Sequence, residues 1–167
     1  WLTTGFSAHP DEEARLGWYV ILATIPAGLA GLIAGDFIEA HLRSSLVIAC
    51  TTIGFGILLG VSDRFRRESK GLAQLTLMAA LVIGFAQVLA LIPGTSRSGI
   101  TMTAALLLAF DRESSARFSF LLSIPLILAA GGLKMLELAE SALPVDWQAI
   151  ALGVVVSALS AWVCIYY

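Results

Sequence analysis

At 167 residues, 58% of them hydrophobic and only 13% charged, with a mean hydropathy of +0.89, the chain is too apolar for a water-soluble globular domain, in which charged residues run near a quarter. A formal charge of -2 without any basic run gives no sign of a nucleic-acid binder. Cys50 and Cys164 sit inside apolar runs with neither metal spacing nor a disulfide framework, so they read as small core residues of an integral membrane protein.

Residues 1–16 read as a loop, with Asp11, Glu12 and Glu13 as a helix-entry cluster and no signal-peptide pattern. The absence of an initiator Met suggests a sequence that begins inside a longer protein. Gly17 to Ala34 is uncharged and long enough to span a bilayer. Pro26 lies inside it, tolerable if Thr24 or a neighbouring helix takes the freed carbonyl. Ala27, Gly31 and Gly35 recur every fourth residue as a close-packing stripe.

Asp36 to Arg43 reads as a polar connection. Its Asp36, Glu39 and His41 invite a metal reading, but solvated loop residues are the plainer account. Ser44 to Val61 is a second uncharged run, with Gly56 and Gly60 four apart. Arg64, Arg66, Arg67 and Lys70 then make the densest positive segment, which the positive-inside rule places in the cytoplasm.

From Gly71 the chain enters the membrane, breaks at Pro93-Gly94 and continues through a short segment to Phe110. If residues 71–110 return to the side they entered, Arg15, Arg64, Arg66, Arg67, Lys70, Arg112 and Arg117 are cytoplasmic against Arg43 and Lys134 outside. If they cross once, Arg112 and Arg117 change sides and the asymmetry nearly vanishes. Charge therefore favours a re-entrant hairpin. A further span over about 114–133 carries a Pro125 kink, Lys134 to Asp146 reads as an acidic outer loop, and Trp147 to Tyr167 is the last span. The spans expected are thus 17–34, 44–61, 114–133 and 147–167, with hairpin arms 71–92 and 99–110, in one transmembrane domain. The fold class is all-α: a multi-spanning helical bundle with a re-entrant hairpin. Such hairpins recur in inverted-repeat proteins. No second copy lies within these residues, so a partner repeat is expected upstream of Trp1.

The hairpin turn, Pro93-Gly94-Thr95-Ser96-Arg97-Ser98-Gly99, carries the chemistry. No charged side chain lies between Lys70 and Arg97, or between Arg97 and Asp111. A lone guanidinium at membrane depth is costly and reads as functional. Gly94 and Gly99 permit a tight turn, while Thr95, Ser96 and Ser98 supply hydroxyls. A helix starting near Gly99 would aim its N–H groups at the same space, and Arg97 offers a planar fork matched to phosphate oxygens. The site reads as one for phosphate or pyrophosphate. The plainer alternative is a snorkelling Arg in an ordinary loop. Length opposes it, because Ser98 to Phe110 is too short to cross the bilayer.

The stretch from Gly84-Phe85-Ala86-Gln87 through Pro93-Gly94-Thr95-Ser96-Arg97-Ser98-Gly99-Ile100-Thr101 resembles the second signature of the bacterial undecaprenyl pyrophosphate phosphatase family, also called bacitracin-resistance proteins. Ala116-Arg117-Phe118-Ser119-Phe120 through Ile124-Pro125 resembles the family's following segment. The family's N-terminal signature, two glutamates four apart and a Ser-rich stretch ending in Gly-His, has no counterpart here.

The resemblance implies hydrolysis of undecaprenyl pyrophosphate to the monophosphate and inorganic phosphate at the outer side of the inner membrane, recycling a cell-wall lipid carrier. It carries over Ser96, Arg97 and Thr101 as catalytic residues, with Gly94, Thr95, Arg97, Ser98 and Gly99 holding phosphate. Ser96 is the candidate nucleophile or leaving-side donor. A divalent cation, Mg²⁺ or Ca²⁺, is expected on ligands upstream of Trp1, so these residues alone are expected to be inactive. The expected partners are the polyprenyl pyrophosphate lipid and the bilayer, with bacitracin competing for the lipid and room for a homodimer. The rival reading is a carrier or flippase for the lipid phosphate without hydrolysis.

Overall fold

The computed structural model of the chain describes residues 10–65, 70–140 and 146–166. Arg66, Arg67, Pro144 and the first nine residues lie outside the described residues, as do the side chains of Asp36 and Glu39. Six α-helices occupy what is described: α1 (Pro10–His41), α2 (Ser45–Arg64), α3 (Leu77–Ala86), α4 (Arg97–Leu107), α5 (Arg112–Glu140) and α6 (Trp147–Tyr166). Of these, α1, α2, α5 and α6 are long and apolar enough to cross a membrane. The chain is an all-α membrane protein.

The helices outrun the uncharged stretches of the sequence. α1 takes in Asp11 to Leu16 at its start, read from sequence as the end of a loop with a helix-entry cluster, and Asp36 to His41 at its end, read as a polar connection. α5 continues through Lys134 to Glu140, where an outer loop was expected. The reason is common to both. A charge ends the stretch that lipid can cover, but Ala, Glu, Leu and Lys are good helix formers, so the backbone carries on into the interface. The Lys134–Glu137 ion pair, 2.7 Å and one turn apart, lies on that extension. Within α1 the Thr24 hydroxyl donates to the carbonyl of Val20 at 2.8 Å. The carbonyl that Pro26 frees is that of Leu22, four residues earlier, so Thr24 does not take it.

The chain divides into two compact units, Trp1–Ala129 and Ala130–Tyr167. The second holds the end of α5 and α6, which is uncharged throughout and has Trp162 stacked on Tyr166. The first holds the hairpin.

Both ends of the hairpin meet. The Lys70 N–H donates to the carbonyl of Ala109 at 3.1 Å, and the Asp111 N–H donates back to the carbonyl of Lys70 at 3.1 Å. The segment between them therefore goes in and comes back. Thr76 caps α3, accepting from the Ala79 N–H at 3.2 Å, and a tight 3-10 stretch, Gln87–Leu91, continues the arm to the turn. α4 returns and ends in a left-handed residue, Ala109 at φ 68. There the Phe110 N–H reaches the carbonyl of Ala105 and the Ala109 N–H that of Leu106, the paired bonds of a Schellman ending. Lys70 adds its ammonium to the carbonyl of Leu108 at 3.1 Å, a cation on a helix C-terminus. Asp111 then caps α5 through the Ser114 N–H at 2.7 Å.

Neighbours fix the direction of each arm. Arg15 of α1 donates to the carbonyl of Ala73, and Ala23 packs so closely on Gly84 that a Cβ there would enter the Ala23 backbone; Gly31 faces Leu91. α1 and the entering arm thus run parallel. At the foot of the hairpin, Arg112 clasps Asp63 with two bonds of 2.8 Å, and nearer its tip the turn touches α2 at Thr51 and Thr52. The buried core lies between these levels, built from Val20, Ala23, Ala80, Ile83, Phe118 and Leu122 among others.

Candidate functional site

The turn forms where its residues leave few options. Ile92, ahead of proline, is extended at ψ 123. Pro93 and Gly94 occupy the central positions of a turn closed by the Thr95 N–H on the carbonyl of Ile92 at 3.1 Å. Gly94 has φ +91, the left-handed value that a type II turn requires at that position. A side chain there would also strike Ile48 and Thr51 of α2.

That contact holds the turn at a fixed depth. The Thr51 hydroxyl donates to the carbonyl of Pro93 at 2.7 Å and the Thr52 hydroxyl to that of Gly94 at 2.9 Å. With both carbonyls turned onto α2, the Gly94 N–H, on the far side of its peptide plane, faces away from it. Thr51 stands six residues from the start of α2 and thirteen from its end, so the turn lies about 9 Å in from one end of that span and about 20 Å from the other. It is inside the span, nearer the end opposite the hairpin base.

Ser96 is the N-cap of α4, accepting from the Gly99 N–H at 3.2 Å, and Arg97 is the first helical residue. The helix was expected to open near Gly99, so it begins two residues early. Because Gly99 is spent on the cap, the first-turn N–H groups left facing outward are those of Arg97 and Ser98. The Ser96 and Ser98 hydroxyls lie 3.4 Å apart. The Arg97 side chain is partly buried and makes no hydrogen bond or ion pair among the described residues. The Thr95 hydroxyl is buried without a partner among them, as is the amide of Gln87 on the entering arm.

Thr101 stands apart from this group. It is 1% exposed, and its hydroxyl lies 2.6 Å from that of Ser119 on α5 and within 3.1 Å of the Arg97 and Ser98 carbonyls. It faces the interior and does not open onto the turn. Gly94, Thr95, Ser96, Arg97, Ser98 and Gly99 are together; Thr101 braces them from behind.

Sequence reasoning missed Thr51, Thr52 and Ser119. Each left a signal. Thr51-Thr52 is a polar pair in the middle of an apolar run, and Ser115, Ser119 and Ser123 recur every fourth residue, one face of a helix.

Among the described residues no group of three His, Cys, Asp or Glu side chains could hold a metal ion. His41 stacks on Phe37 and its Nδ1 lies 3.2 Å from the Phe37 carbonyl, while its proposed companions are outside the described side chains. The residues in view do not form a site for a divalent cation. A cavity of about 180 Å³ lies at the hairpin base, between Glu12, Arg15, Tyr19, Leu72 and Arg117. It is at the opposite end of the hairpin from Arg97 and smaller than the roughly 300 Å³ at which ligand pockets begin.

The family model described as "Bacitracin resistance protein BacA" matches residues 1–167. A protein of Teredinibacter turnerae named undecaprenyl-diphosphatase is 58% identical over 167 residues, 100% of this chain and 63% of that protein. Proteins of the same name from Saccharophagus degradans and Hahella chejuensis are 60% identical over 157 residues and 55% over 166, covering 94% and 99% of this chain and 59% and 62% of their own lengths. The chain spans about three-fifths of the curated relatives it matches.

Proposed function

The chain belongs to the bacitracin resistance protein BacA family, and from that premise we propose that it forms part of an undecaprenyl-diphosphatase, its turn at residues 93–99 gripping the diphosphate of the lipid. The observation that carries this reading is Arg97, a guanidinium on the hairpin turn that packs against the middle of α2, with no partner among the described residues. A cation set at membrane depth needs an anion, and a diphosphate supplies one whose paired oxygens match the guanidinium fork.

The parts divide as follows. Arg97 binds non-bridging oxygens of the diphosphate, and the outward N–H groups of Arg97 and Ser98 add donors with the α4 dipole behind them. As water attacks the terminal phosphorus and the anhydride bond breaks, charge grows on the oxygen that leaves with the lipid monophosphate. Fixed donors stabilise that charge without reorganising. The Ser96 oxygen caps α4 and pairs with the Ser98 hydroxyl at 3.4 Å; the pair holds two protons and one serves the bond between them, so the other is left to donate to a phosphate oxygen. Among the described residues no carboxylate or imidazole touches the Ser96 hydroxyl, the arrangement a nucleophilic serine needs. A divalent cation would add Lewis-acid charge neutralisation, on ligands outside the residues described. The activity is assigned to the whole protein, and these 167 residues alone are expected to release no phosphate.

Sidedness follows from charge. Arg15, Arg64, Lys70 and Arg112 gather at the hairpin base, which the positive-inside rule places in the cytoplasm of the inner membrane; the turn then opens toward the periplasmic side.

The test is phosphate release from undecaprenyl diphosphate by the whole protein in detergent with a divalent cation. Arg97→Ala is expected to lower turnover by about 10³, the scale of a lost transition-state donor. Turnover persisting in Arg97→Ala would remove the site, and movement of lipid phosphate without any release would replace hydrolysis with transport.

A further inference from the structure

The Thr101 hydroxyl is not placed to meet a phosphate, yet it sits one turn from Arg97, and what it touches suggests another task. Thr101 and Ser119 are 1% and 3% exposed, and their oxygens are 2.6 Å apart. Thr101 Oγ1 lies 3.0 Å from the carbonyl of Arg97 and 3.1 Å from that of Ser98; Ser119 Oγ lies 3.4 Å from the carbonyl of Ser98. Two hydroxyls hold two protons between them. One is used in the bond joining them, and the other goes to an Arg97 or Ser98 carbonyl. Neither is left for a substrate oxygen.

We infer that Thr101 and Ser119 are positioning residues, a buried hydroxyl pair that ties the first turn of α4 to α5 and so sets the direction of Arg97 and of the N–H groups beside it. Thr51 and Thr52 hold the same turn from the α2 side through the Pro93 and Gly94 carbonyls. The anion-binding stretch is therefore clamped between two spans, by hydroxyls at both ends. The inference rests on the diphosphate reading of the turn, but it makes Thr101 act through the backbone of Arg97 and gives α5 a part in catalysis.

The experiment is a double-mutant cycle in the whole protein, with Ser119→Ala, Thr101→Val and both together. Each single variant is expected to lower kcat by about tenfold to a hundredfold, the effect of a small misplacement of a reacting group, with KM within about twofold. Acting through one bond, the two changes are not additive, so the double variant loses about what either single loses. Its thermal midpoint recovers toward wild type, because replacing both partners by apolar groups leaves no unsatisfied hydroxyl. Its kcat does not recover. Thr101→Ser keeps the hydroxyl and restores kcat. A large loss in Thr101→Val beside a wild-type Ser119→Ala would make Thr101 a direct substrate donor and overturn the inference, as would kcat tracking thermal stability through all three variants. Hydrogen exchange across residues 97–103 needs no turnover and separates the two readings: Ser119→Ala is expected to speed it by about tenfold, and unchanged protection would sink the clasp. If the wild type releases no phosphate while exchange still responds, the diphosphatase reading fails and the clasp stands.

Discussion

Arg97 has no electrostatic partner among the described residues, and its surroundings explain how the fold tolerates that. The side chain is only partly buried and the backbone beneath it is tied on two sides, while the positive end of α4 beside it works against an unpaired cation and adds to the demand for an anion. A planar fork and a point charge are not interchangeable in such a place. Arg97→Lys is therefore expected to recover no more than about a tenth of wild-type turnover in the phosphate-release assay; full recovery would mean that charge alone suffices. The residue scale was only half legible in the sequence. Arg97, Gly94 and the hydroxyls around them stood out because they interrupt a long apolar stretch. Thr51, Thr52 and Ser119 did not, because their partners lie 42 or about 20 residues away and local pattern carries no such information.

At the scale of elements, the hairpin depends on two residues in the left-handed region. Gly94 cannot change: Gly94→Ala meets both an unfavourable φ and the wall of α2. The two penalties together are expected to cost at least about 2 kcal/mol, read as a lower thermal midpoint in detergent with phosphate release lost. Ala109 is the reverse case. At φ 68 it does the work of a glycine in the ending of α4. Ala109→Gly should raise stability by about 1 kcal/mol without altering turnover, and a lowered midpoint would show that the Ala109 methyl group packs more than it strains. Helix ends were the part that sequence described least well. Uncharged runs mark what lipid covers, whereas α1 and α5 follow backbone propensity for one or two turns beyond it. The entry of α4 at Arg97 was misplaced because the capping role of Ser96 was hidden under its reading as a reactive hydroxyl.

At the scale of the molecule, the hairpin was legible from charge before any contact was known. Counting basic residues on each side favoured a segment that returns, and the Lys70–Ala109 and Lys70–Asp111 bonds close it. Its depth was not legible, since it is set by which residues of α2 the turn meets. The central claim is that the chain dips in, presents Arg97 within the membrane and comes back out where it entered. Single cysteines at Lys70, Asp111 and His41, on a background with Cys50 and Cys164 replaced by alanine and phosphate release retained, test this by labelling intact cells with a membrane-impermeant thiol reagent before and after permeabilisation. The account predicts that positions 70 and 111 react only after permeabilisation, while position 41 reacts before it. Labelling of position 111 from outside, with position 70 protected, would make residues 71–110 a single crossing and contradict the account.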